Sequence, residues 1–275
     1  MASRGPFSKS WDELSFTDNY IFCKVLQQNK ELSQKMLEIL IGIEITNVDI
    51  VESEKTIDNF YGTRSVRLDV YAKNETQAFD IEMQTCNYEN LLLRARYYQS
   101  SLDQEEMERS ADFEKLKNSY IIFLCLDDPI GYGSYIYTKQ SVFKEYPDKS
   151  YNDKSNIVFY NCSAYKDVED KELRNVLEFI YNANSNSTFT DKLQKSVDDT
   201  KKSPEWRKEY MKLSEIINDS KKEGVKEGKE EAFIETAINM LKDGKLSAEE
   251  IAQYTKLPLE KINQLAKEVL VPTTK

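Results

Sequence analysis

The chain contains no histidine. That absence removes Ser-His-Asp and Cys-His catalysis, histidine-ligated zinc, and every transposase or relaxase built on paired histidine metal ligands. Acid–base or metal chemistry must therefore run on Asp, Glu, Lys, Tyr or water. Cysteine is scarce as well. Cys23, Cys86, Cys125 and Cys162 lie far apart with no C-x-x-C pair, which argues against a thiolate zinc site or a disulfide scaffold and for free thiols in a reducing compartment. Only 8 Gly and 6 Pro exclude a collagen-like or low-complexity chain. Long apolar runs are missing too. Tyr120 to Leu126 (YIIFLCL) is the longest, far short of the roughly 20 residues that span a bilayer. The opening MASRGPFSKSWDEL has no apolar leader segment. The expectation is a soluble, cytoplasmic protein with no membrane association.

What is present can fold. Hydrophobic residues make up 40% of the chain, with 17 Tyr and 12 Phe, enough to bury a core. The net charge of −10 is unevenly placed. Residues 201–275 hold 15 basic and 14 acidic side chains, so the first 200 carry the whole excess, 34 acidic against 23 basic. Such a field is poor at non-specific polyanion binding.

Helical periodicity covers residues 15–42. Ser15, Thr17 and Asp18 offer N-cap chemistry, Asn29 is a break and Gly42 a C-cap. Strand-like segments follow. Ile45 to Ser53 alternates loosely. Arg64 to Tyr71 (RSVRLDVY) places Val66, Leu68 and Val70 on one face and Arg67, Asp69 and Tyr71 on the other. After the turn KNET (73–76), Gln77 to Gln84 (QAFDIEMQ) alternates apolar Phe79, Ile81 and Met83 with polar Asp80, Glu82 and Gln84. The pair reads as a β-hairpin. Residues 88–118 read as a long polar helix, then the apolar strand, a Tyr/Gly-rich segment, a strand at 157–160 and a helix at 167–182. NANSNSTFT (182–190) reads as a linker. Beyond it, a helix over 205–221 is separated by KKEGVKEGKEE from a terminal cluster with an S-x-x-E capping box at Ser247 to Glu250. Helix, the turn Lys256-Leu257-Pro258 and a second helix look helix-turn-helix-like. Lys261, Gln264 and Lys267 are a thin set for reading DNA, so a pack for self-association or partner contact is an equal alternative.

Chemistry is expected in the hairpin. If a two-residue turn closes Lys73 against Thr76, Asp69 faces Asp80 and Arg67 faces Glu82. Asp69 and Glu82 are then diagonal neighbours about 7–8 Å apart, a spacing that suits two carboxylates sharing one Mg²⁺. Hairpin geometry alone leaves a second reading open, a solvated polar face with one Arg67–Glu82 ion pair, as antiparallel sheets normally show.

The order D, about a dozen residues, E-x-Q, then R-x-x-Y-Y resembles the Rpn family of recombination-promoting nucleases and transposase-related proteins, in the PD-(D/E)XK superfamily. The residues are Asp69 in RLDV, Glu82 and Gln84 in DIEMQ, and Arg94, Tyr97 and Tyr98 in RARYY. Phe16-Thr17-Asp18 with Ile21-Phe22, Asp127-Asp128-Pro129 and the EG-rich tail are also similar. The resemblance implies an α/β fold, with a restriction-endonuclease-like core of mixed sheet flanked by helices over residues 10–185, a linker over 186–204 and a helical C-terminal extension over 205–270. It implies a Mg²⁺- or Mn²⁺-dependent DNA endonuclease that promotes recombination, with no nucleotide cofactor. Asp69 and Glu82 would bind the metal with the carbonyl of Met83, Gln84 would stand where the superfamily usually has Lys, and Asp18 would be an additional acid. Metal-assisted phosphodiester hydrolysis needs no histidine. Arg94 shares a helix face with Tyr97 and Tyr98, and Arg96 does not. The functional reading sets Arg94 near the scissile phosphate with a tyrosine hydroxyl assisting; the alternative packs the tyrosines on the sheet and pairs Arg94 with the acidic face. Cutting both strands would favour a homodimer. A catalytically inactive DNA- or protein-binding module is the alternative function.

Overall fold

The computed structural model describes residues 9–57, 64–86, 88–107 and 110–270. The first eight residues, read above for a leader, lie outside them. Two helices open the chain, α1 (Asn19–Gln28) and α2 (Lys30–Ile41). Asp18 is the N-cap of α1, while the Asn29 side chain accepts from the Leu32 N–H and so ends one helix and starts the next. Gly42 closes α2 at φ +70, the left-handed conformation that glycine takes without strain.

Next come β1 (Ile50–Ile57), β2 (Val66–Lys73), β3 (Gln77–Gln84), α3 (Leu91–Glu106), β4 (Asn118–Cys125), β5 (Ile136–Lys139), the ribbon of β6 (Val142–Phe143) and β7 (Tyr146–Ser150), and β8 (Ser155–Asn161). Six of the strands form one mixed sheet in the order β1-β2-β3-β4-β8-β5. β3, β4 and β8 are parallel neighbours at its centre, and β1, β2 and β5 run antiparallel to theirs. The YIIFLCL run becomes β4 because a central parallel strand is covered on both faces. One face carries Tyr71, Ala78, Ile121, Phe123 and Phe159, packed with Leu91, Ala95 and Leu102 of α3. β1 starts five residues later than the expected Ile45, whose side chain is instead buried in the connecting loop.

The rest of the chain is helical: α4 (Lys171–Asn182), α5 (Thr188–Lys202), α6 (Pro204–Asp243), α7 (Ala248–Thr255) and α8 (Leu259–Leu270). Two expectations fail here. Residues 186–204 are not a linker. Ser187 N-caps α5, which buries Thr190, Leu193, Val197 and Thr200, so the Asn/Ser-rich stretch is the approach to a helix cap. Nor does KKEGVKEGKEE interrupt the helix, since α6 runs unbroken through Gly224 and Gly228; each glycine costs only about 1 kcal/mol relative to alanine. The chain divides into compact units at residue 210/211. In the second, Ala237, Ile251, Leu257, Ile262 and Leu265 form a small core, with the capping box at Ser247 and Glu250 in place. Among the described residues no helix is long and apolar enough to cross a membrane.

Candidate active site

The site begins with a turn that falls one residue later than expected. The Asn74 carboxamide oxygen accepts from the N–H groups of Thr76 (3.0 Å) and Gln77 (2.8 Å), and the Asn74 N–H donates to the Gln77 carbonyl. Glu75 and Thr76 are therefore the turn residues. The register becomes Lys73↔Ala78, Tyr71↔Asp80 and Val70↔Ile81. Relative to the expected pairing this is a slip of two residues, which preserves faces and changes partners. The ladder ends at Val70↔Ile81; one regular step further would set Asp69 opposite Glu82 rather than diagonal to it.

At that step both ladders of β2 become irregular. Pairing with β1 skips Glu54 opposite Asp69, and Glu54 sits at φ +53. Val66 and Leu68 share a buried cluster with Tyr71 although strict alternation would separate them, so the phase of β2 changes at Asp69. Main-chain groups freed by this irregularity bond to the carboxylates. The Asp69 N–H donates to Glu82 Oε1 (2.9 Å), and the Met83 N–H donates to Asp69 Oδ2 (3.1 Å). From α1, Asn19 Nδ2 donates to Asp69 Oδ1 (2.6 Å), and the Cys23 thiol donates to the Asp69 carbonyl (3.2 Å). From α3, Arg94 lies 3.8 Å from Glu82 Oε2, donates to Gln84 Oε1 (3.1 Å) and to the Tyr98 hydroxyl (3.4 Å), and sits over the Tyr98 and Phe123 rings.

Asp69, Glu82, Met83, Gln84, Arg94 and Tyr98 are thus brought together, and three other expectations are not met. Asp18 is engaged away from the cluster, by Lys9 at 2.7 Å and by the Ser15 N–H at 2.8 Å. The α1 residue that reaches Asp69 is its neighbour Asn19, which sequence reasoning missed because an amide in a helix's first turn reads as ordinary cap chemistry. Tyr97 donates to the Arg64 carbonyl on the surface. Arg67 points outward, 3.6 Å from Glu54, and does not face Glu82. The solvated-face reading also fails, since Asp69, Asp80 and Glu82 are 8%, 0% and 3% exposed.

Burying three carboxyls has an electrostatic consequence that the charges of Arg67 and Arg94 only partly offset. Burial, only partly offset by the Met83 and Asn19 hydrogen bonds, pushes Asp69 up to about 6. Burial and then the neighbouring carboxylates hold Asp80 and Glu82 well above the ordinary carboxylate range. Among the described residues no donor reaches either Asp80 oxygen, and its polar neighbour is the Glu82 carboxyl, an acceptor like itself unless one of the two carries a proton. No three acidic or thiol side chains among the described residues form a ready-made cation cage. The donors are nevertheless hard carboxylate oxygens from two strands, of the kind that hard divalent cations take, and the charges of Arg67 and Arg94 leave all three carboxyls raised. The residues fit a divalent cation.

Neither the curated proteins nor the solved structures compared with the chain match it. A family model does, that of the PD-(D/E)XK nuclease family transposases, over residues 16–244. That span includes the whole sheet and every residue of the cluster, and it covers most of the sequence; the chain belongs to the PD-(D/E)XK nuclease transposase family.

Proposed function

We propose that the chain is a divalent-metal-dependent DNA endonuclease of the Rpn type, whose cuts promote recombination. The observation that carries the reading is Glu82 hydrogen-bonded to the Asp69 N–H, with Gln84 held by Arg94, in a chain of a nuclease family. Asp69, Glu82 and the main-chain carbonyl of Met83 would hold Mg²⁺ or Mn²⁺. Such an ion polarises a phosphoryl oxygen and lowers the pKa of an attacking water. Asn19 and the Met83 N–H fix the Asp69 carboxylate from two sides, so its orientation is set before substrate arrives. Gln84 is a neutral amide whose oxygen accepts from Arg94 and whose N–H₂ donates to the Cys86 carbonyl; an amide at this position can orient water but adds no charge. Arg94 is one-third exposed and lies 3.8 Å from Glu82, placed to meet a phosphate. Cutting both strands of a duplex calls for two such sites, hence a homodimer.

A catalytically silent DNA- or protein-binding module is the second reading, favoured by Gln84 at the position where a lysine would offset developing negative charge. Nicking of supercoiled plasmid separates the two. The enzyme reading expects cutting with Mg²⁺ or Mn²⁺ that is abolished by Asp69→Ala and by Glu82→Ala. Wild type that nicks nothing with either metal, or variants that nick as well as wild type, would refute it.

A further inference from the structure

The Asp127-Asp128-Pro129 segment leaves the same end of the sheet as Gln84. The Leu126 N–H donates to the Gln84 carbonyl (3.1 Å), and the Asp127 N–H to the Tyr88 hydroxyl (2.9 Å). The loop that follows is built around one carboxylate. Asp128 accepts from the N–H groups of Ile130 (3.0 Å), Gly131 (2.8 Å) and Gly133 (2.7 Å) and from the Tyr137 hydroxyl (2.9 Å). That hydroxyl in turn accepts from the N–H groups of Tyr132 and Ser134, each at 3.1 Å. Gly131 and Gly133 stand at φ +93 and +78, so the turn requires them. All this order holds one side chain in solvent: Tyr132 is 85% exposed, its ring meeting only the ring of Tyr137 among the described aromatics, at 6.4 Å.

The sheet register places this loop level with the carboxylates. Glu82 pairs with Phe123, Phe123 with Phe159, and Phe159 with Tyr137, a straight row across β3, β4, β8 and β5. Three strand spacings of about 4.8 Å separate Glu82 from Tyr137, roughly 14 Å. The surrounding domain is acidic, so phosphate-seeking lysines are not the means of holding DNA there. An aromatic face is different, because every nucleobase stacks on it without charge. A pre-ordered loop also loses little freedom on binding.

We propose that Tyr132 is a stacking platform for an unpaired DNA base a few nucleotides from the cut, so that the site takes single-stranded or locally opened DNA. This rests on the nuclease reading. The test is fluorescence anisotropy of the full chain with fluorescein-labelled dT20 and with a labelled 20-base-pair duplex, in Ca²⁺ buffer, alongside plasmid nicking. Stacking predicts that Tyr132→Ala weakens dT20 binding at least about fivefold, that Tyr132→Phe stays within about twofold, and that the duplex is affected less. Unchanged thermal unfolding of Tyr132→Ala excludes a folding defect. Wild type that binds dT20 no better than Tyr132→Ala does, or that nicks plasmid without binding dT20, overturns the stacking role and leaves the nuclease reading standing. Wild type that neither binds either DNA nor nicks overturns both.

Discussion

Replacing Asp80 by asparagine should stabilise the protein. Asp80 is fully buried, its two oxygens receive no hydrogen bond from the described residues, and it lies against Glu82, itself buried and 3.8 Å from an Arg94 guanidinium nitrogen. Deprotonated, the two carboxyls are acceptors meeting where a donor is needed, and burial and mutual repulsion make the proton that would join them costly to give up. Asp80→Asn keeps the shape, removes the acid and turns the amide N–H₂ towards Glu82. Satisfying a buried polar group is worth about 1–3 kcal/mol, and a domain of this size gains about 2–4 °C in Tm for each kcal/mol. Thermal unfolding followed by circular dichroism, in EDTA at pH 7.5, reads the gain directly. At pH 5 the gain should be smaller, because a proton shared by the two carboxyls is then held more often and supplies the same donation. A variant less stable than wild type at pH 7.5, or equally stabilised at both pH values, would refute the reasoning.

Three further outcomes are expected. First, metal-free stability should fall as pH rises. Asp69 is pushed up in the fold, so its contribution is fully present below about pH 4 and is lost as pH rises through about 6, a difference of about 3 kcal/mol; urea midpoints in EDTA at pH 4.5 and 7.5 measure it, and Mn²⁺ should restore stability chiefly at the higher pH. Second, Asn19→Ala should weaken Mn²⁺ affinity about 10–100-fold, the usual cost of losing a partner that orients a ligand, while Asn19→Ser should recover part of it; calorimetric titration with Mn²⁺ is the readout, and unchanged affinity would remove Asn19 from the site. Third, Arg94→Ala should lower plasmid nicking about 10²–10³-fold, and Arg94→Lys should not restore it, because a single ammonium cannot span Gln84 and Tyr98 as the guanidinium fork does.

Much of this protein is written locally. The break at Asn29, the Gly42 cap, the Ser247/Glu250 box and the apolar run of β4 each follow from a few neighbouring residues, because caps, turns and buried strands draw on short-range chemistry. Asp69, Glu82, Gln84 and Arg94 were legible as a motif for the same reason: their spacing survives any reasonable fold. The register between them was not. It depended on whether the Asn74 side chain would claim the Thr76 and Gln77 N–H groups, a competition decided by a single amide, and one step either way changes every partner across the ribbon. Residues 186–204 read as a linker because hydrophilic composition does not show that Leu193 and Val197 will find a surface to cover.

The sequence by itself determined which acids, amides and guanidinium are available, and, through the absence of histidine, which chemistries are closed. Only the tertiary structure decided that Asn19 rather than Asp18 reaches the carboxylates, that Arg67 turns outward while Arg94 turns in, and that Asp80 is sealed without a donor. Those outcomes depend on how α1 and α3 seat against an irregular strand, and a carboxyl's ionisation depends on the depth and charge around it, quantities that exist only once segments far apart in the chain have closed over one another.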